Sequence, residues 1–254
     1  MIQAFALVFF RLTGLFVSAP LFSGREVPRE VKVGLGVLAA LVVYPVVPVR
    51  LEDLPRGLGG AAAAAAAELA AGLSLGFLAT MLFSAFQLAG QHIGQQMGIA
   101  LADVIDPFSE SEVPVIGQFQ NSLALLLYVA AGGHRLLVGA VAESFRTVPL
   151  GGFRVTPELV GQLVRASGRI LELSFQIAAP VLVALFLSTV ALGFVARAVP
   201  QMNILMLSFP LQIGLGLGVL IWTLPAAVRF ALFLCGELTG DLGRLTAAMV
   251  PHGG

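Results

Sequence analysis

LAAGLSLGFLATMLFSAFQLAGQHIGQQMGIALA, Leu69–Ala102, runs 34 residues without a charged side chain. Two further runs follow, Leu173–Ala196 with 24 residues and Ala198–Val228 with 31. Hydrocarbon offers a charge no hydrogen bonds, so uncharged apolar runs of about 18 residues or more mark helices made for a membrane. These runs are also interrupted, by Gln87, Gln91, Gln95, Gln96, Pro180, Pro200, Gln201, Asn203, Pro210 and Gln212. A simple anchor has no use for amides and prolines at membrane depth. They survive there packed against protein or lining a wet path. The pattern points to an assembly or a conduit.

Composition agrees. Of 254 residues, 58% are hydrophobic and 11% charged, where soluble domains carry roughly 25% charged residues. Mean hydropathy is +0.96. The class is integral membrane protein. Fourteen basic residues balance fourteen acidic ones, which leaves no basic face for nucleic acid. The single cysteine, Cys235, excludes an internal disulfide and a cysteine metal cluster, and reads as a small apolar helix residue. Arg11 lies inside the first apolar stretch rather than ahead of it, which is not the pattern of a cleavable signal.

About six helical segments are expected. The first spans Met1–Phe22 and the second Val33–Val47, with a charged link between them. The third starts near Gly60 with the alanine run Ala61–Ala67 and reaches about Leu101. It is far longer than a hydrocarbon core of roughly 30 Å, so it must kink, break or leave the membrane. The fourth is Val115–Gly133. The region 134–172 is the most polar, with five arginines, a turn at Pro149–Gly152, and an amphipathic helix from Pro157 to Arg169 capped by Thr156. The fifth is Leu171–Arg197, the sixth Asn203–Leu224, and an amphipathic stretch, Ala226–Ala248, closes the chain. With six spans, the five arginines at 135–169 favour that region and both termini on the cytoplasmic side, whereas the three basic residues of the link at 25–32 argue the other way.

Four constellations carry meaning. Gly90, Gly94 and Gly98 recur every four residues and would form one bare helix stripe, with Gln87, Gln91 and Gln95 as a second. This fits a helix pressed between protein neighbours or facing a wet pore, and equally ordinary packing within one chain. Asp103, Asp106, Glu110 and Glu112 surround Pro107 and Phe108; the spacing is wrong for a calcium loop, and a solvated loop is the default. Pro200, Gln201 and Asn203, with Pro210 beyond, read as a helix break whose amides re-satisfy freed backbone groups. Arg197 sits near a segment end and can snorkel, whereas Arg11 is deeper and calls for a carboxylate partner. No Ser/His/Asp, Cys/His or metal-spaced set appears, so the reading is non-enzymatic, with no catalytic, cofactor or metal site.

At these residues the chain resembles the FliR/SctT family of type III export-gate proteins, flagellar and injectisome. The resemblance rests on Arg11-Leu-Thr-Gly with Pro20-Leu-Phe-Ser; on Gly90-Gln-His-Ile-Gly-Gln-Gln-Met-Gly; on Asp106-Pro with Pro114 and Asn121-Ser-Leu-Ala-Leu-Leu; and on Arg197-Ala-Val-Pro-Gln-Met-Asn with Phe209-Pro. It covers nearly the whole length. It implies an all-α protein of kinked, membrane-associated hairpins that pack into a helical assembly rather than a simple six-span bundle. Residues 1–134 would be the FliP-like part, 135–172 a polar connection and 173–254 the FliQ-like part. The implied partners are FliP-like and FliQ-like subunits in a hetero-oligomer, FlhB-like and FlhA-like export proteins, and unfolded export substrates. The implied place is the bacterial inner membrane at the flagellar basal body. The segment from about 104 to 117 would be the pore plug, with Val104, Ile105, Asp106, Pro107, Phe108, Ser109 and Pro114 at its centre. A secondary transporter of a small solute is the alternative, because broken helices also build transporter sites.

Overall fold

The computed structural model describes residues 1–19, 28–49, 55, 57–99, 115–201 and 203–250. Every regular element among them is helical: α1 (Ile2–Ser18), α2 (Arg29–Val43) with a 3-10 turn at Tyr44–Val46, α3 (Gly57–Gln96), α4 (Val115–Ala130), α5 (Gly133–Thr147), α6 (Pro157–Ala198) and α7 (Ile204–Ala248). The protein is all-α, and α3, α6 and α7 are each long and apolar enough to cross a membrane.

Local chemistry sets the helix ends. Ala19 and Val148 are extended, at ψ 137° and 94°, because each precedes a proline that disfavours the helical region. Thr156 caps α6: its Oγ1 accepts the Leu159 N–H at 3.0 Å, with Pro157 in the first helical position. α3 ends in a Schellman motif, in which Gly98 N–H donates to Gln95 O (3.0 Å) and Ile99 N–H to Gly94 O (3.2 Å). Gly98 takes φ +80°, the left-handed conformation that motif requires.

Several expected boundaries move. The third segment does not break: α3 is one helix of 40 residues with no internal proline, about 60 Å long, so it reaches beyond any bilayer it crosses. The amphipathic helix at 157–169 and the fifth segment are one helix of 42 residues, because Gly168 and Pro180 weaken it without ending it. The sixth segment and the closing stretch are likewise one helix of 45 residues, with Pro210 and Pro225 inside. The fourth stops at Ala130, and the chain turns 67° into α5, a helix that lay unforeseen in the polar region. The turn passes through Gly132, at φ +73°. Tyr128 Oη donates to Gly133 O at 2.6 Å, and its ring fills the space a Gly133 side chain would need.

The chain forms two compact units that interleave along the sequence. One takes Met1–Leu82, Tyr128–Gly168 and Leu232–Gly254; the other takes Phe83–Leu127 and Arg169–Ala231. In the first, α1 packs on α3 and on α2, where Phe5 meets Tyr44 edge-on at 5.8 Å. In the second, Ala89 and Ile93 of α3 and Met97 just past its end form a core with Ile116 of α4, Ala178, Val181 and Leu185 of α6, and Leu220 of α7.

Candidate functional site

The first unit is built around a charge. Arg11, in the middle of α1, is fully buried. Its Nε donates to Glu68 Oε2 of α3 at 2.5 Å, Nη1 to Ser144 Oγ of α5 at 3.1 Å and Nη2 to Val148 O at 3.1 Å. The guanidinium also lies over the Phe145 ring, 4.0 Å from its centroid. Glu68, equally buried, accepts the Gly151 N–H at 2.8 Å through Oε1. Ser144 Oγ in turn donates a hydrogen bond to Val141 O at 2.7 Å. A charge pair taken from water loses several kcal/mol of hydration per ion, and holds only where hydrogen bonds occupy the remaining donors and acceptors. Both ions have such bonds here.

Small residues let the two helices come close enough for this pair. A Cβ on Gly72 would fall on Arg11 O, one on Gly14 on Leu69 O, and one on Gly76 on Ser18 Oγ. Thr80 Oγ1 bonds to Ser18 O one turn further along. Glu68, Gly72, Gly76 and Thr80 therefore form one stripe, four residues apart, against Arg11, Gly14 and Ser18. A charge-free run counted from Leu69 hides this stripe, because Glu68, its first member, lies one residue ahead of that run. The spacing itself was a usable signal.

The glycine stripe that the sequence suggested lies in the second unit and divides into three roles. Gly90 makes the close contact: a Cβ there would sit 2.6 Å from both Gly117 Cα and Ile116 O. A Cβ on Gly117 would in turn lie 3.0 Å from Gln87 O and 3.3 Å from Gln91 Cγ. Gly94 meets only the Ile116 side chain, at ordinary van der Waals distance. Gly98 is not on the stripe, because it has already left the helix as its left-handed cap. Gln87 and Gln91 are half-buried and Gln95 is exposed, so the glutamines are not one buried row. His92 stacks on Phe175 of α6, 4.8 Å between ring centroids.

The other anticipated residues separate. Pro200, Gln201 and Asn203 lie in the connection between α6 and α7. Pro210 does not break the chain: it is inside α7, where the helical run on both sides carries it. Arg197 occupies the last turn of α6, exposed, where its charge complements the terminal carbonyls. Val104, Ile105, Asp106, Pro107, Phe108, Ser109 and Pro114 lie outside the described residues. Val115–Gly117, the far end of the segment anticipated as a plug, are the first turn of α4. The Gly90–Gly117 contact thus ties that turn to the last turns of α3. Among the described residues no group of three or more His, Cys, Asp or Glu side chains could hold a metal.

The sequence profile of bacterial export proteins, family 1, matches residues 2–238. The flagellar biosynthetic protein FliR of Escherichia coli (strain K12) is 31% identical over 240 residues, which cover 94% of this chain and 90% of that one. FliR of Bacillus subtilis (strain 168) is 34% identical over 225 residues, 86% of this chain and 85% of that one. FliR of Pectobacterium carotovorum is 33% identical over 230 residues, 91% and 87% respectively. With a match that runs through nearly all of its length, the chain belongs to family 1 of the bacterial export proteins.

Proposed function

We propose that this protein is a subunit of the flagellar type III export gate, a conduit component and not an enzyme. In this reading it joins FliP-like and FliQ-like subunits in a hetero-oligomer in the inner membrane at the basal body. There it works with FlhB-like and FlhA-like proteins to pass unfolded substrates. Residues 1–134 take the place of a FliP-like part and 173–254 of a FliQ-like part. The segment from about 104 to 117, which ends in the first turn of α4, serves as the plug.

The family match carries this reading, and the helices support it physically. Only 22% of the apolar window of α6 and 17% of that of α7 are buried within the chain, against 56% for α3. Exposed side chains on α6 and α7 include Phe186, Phe194, Ile221, Trp222 and Phe233. Apolar surface on this scale has to be covered by lipid or by other subunits.

Co-expression with FliP-like and FliQ-like proteins, detergent extraction and mass determination test the proposal. A discrete complex containing this chain is expected. A lone monomer, with both partners well expressed, would overturn it.

A further inference from the structure

We propose that the Arg11–Glu68 pair anchors a strap, residues 148–156, and through it holds the start of α6 and the end of α7 to each other. The observations lie within the first unit and are independent of the export reading.

Two of the groups that satisfy the buried pair are backbone groups of this strap. Val148 O accepts from Arg11 Nη2, and Gly151 N–H donates to Glu68 Oε1. The strap then closes a tight turn, Gly152 N–H to Pro149 O at 2.9 Å, with Gly151 at φ +74°. Its own Val148, Leu150 and Phe153 are buried. At its far end it bonds to the terminus of α7: Arg154 N–H donates to Met249 O at 3.0 Å, and Thr156 Oγ1 donates to Ala248 O at 2.5 Å. The same hydroxyl accepts the Leu159 N–H that caps α6. One oxygen therefore serves the start of one long helix and the end of the other.

Physical chemistry makes these bonds interdependent. A buried guanidinium or carboxylate deprived of partners is costly, so Val148 O and Gly151 N–H are held where the pair needs them. Pro149 fixes one φ, and the tight turn fixes its neighbours, so few soft dihedrals remain to absorb a shift between Gly151 and Arg154. A change in the pair therefore reaches Ala248 and Met249, which it does not touch.

Hydrogen exchange on the full-length protein, read as overlapping peptides, tests this coupling. In Glu68→Gln, peptides over 149–160 and over 243–250 should both exchange faster, by roughly tenfold or more, while peptides over 205–220 keep their rate. Faster exchange confined to 149–152, with 243–250 unchanged, would overturn the proposal; so would a uniform rise across the whole chain. Coupling is reciprocal, which provides a second variant should Glu68→Gln not fold. Thr156→Val should loosen the amides at 149–152 as well as those at 157–160 and 243–250. A change confined to the latter two would also overturn it.

Discussion

Gly90 of α3 and Gly117 of α4 face each other, with no room for a side chain on Gly90 and a tight fit for one on Gly117. A Cβ on Gly90 would sit 2.6 Å from the Gly117 Cα, and one on Gly117 would sit 3.0 Å from Gln87 O. The atoms obstructing Gly90 are all backbone, so no rotamer change relieves the overlap there. Gly90→Leu should therefore cost at least about 1–3 kcal/mol and sharply lower the yield of folded protein. At Gly94 a methyl meets only the Ile116 side chain, so Gly94→Ala should leave yield and melting temperature near wild type. Equal damage from Gly90→Ala and Gly94→Ala, measured by thermal unfolding in detergent, would contradict this assignment of the close contact.

The buried pair makes an asymmetric prediction. Glu68→Ala leaves the Arg11 guanidinium without its carboxylate and should destabilise by about 3–5 kcal/mol, as should Arg11→Ala. Arg11→Met combined with Glu68→Leu removes both charges and fills the space, and should cost less than either single change. A double-mutant cycle on melting temperature, with Arg11→Met and Glu68→Leu each made singly and together, reads this directly. Simple additivity would show that the two side chains do not depend on each other.

The plug proposal can be tested without disturbing the packing beside it. Deleting residues 104–114 while keeping Val115–Gly117 preserves the contact with Gly90. Assembly should proceed, and the membrane should become permeable to small solutes. An intact complex with unchanged ion permeability would reject the plug role.

The 67° turn between α4 and α5 rests on Tyr128 and Gly133. Tyr128→Phe should cost about 1 kcal/mol through the lost hydrogen bond to Gly133 O. Gly133→Ala should cost more, roughly 1–3 kcal/mol, because its methyl would enter the space of the Tyr128 ring. If Gly133→Ala is neutral in a thermal melt, the ring does not set the turn.

Much of this protein is legible in its sequence, for reasons local to the chain. Long charge-free runs determine membrane-type helices, because a charge in hydrocarbon is costly whatever the fold. Thr156 followed by Pro157 determines the start of α6, because capping is a relation between neighbouring residues. The depth of Arg11 in an apolar segment already called for a carboxylate. Only the tertiary structure selects Glu68, which lies 57 residues away. It also decides which glycines are bare for a reason: Gly72, Gly76 and Gly90 face backbone, whereas Gly98 serves only its own helix end. Whether the prolines end a helix is likewise decided there. Pro200 falls in a connection while Pro180, Pro210 and Pro225 do not, because the apolar runs on both sides of those three continue in helical register. Spacing along one helix is a property of the sequence; which face meets a neighbour depends on a second helix far away in the chain, and that pairing is settled by packing.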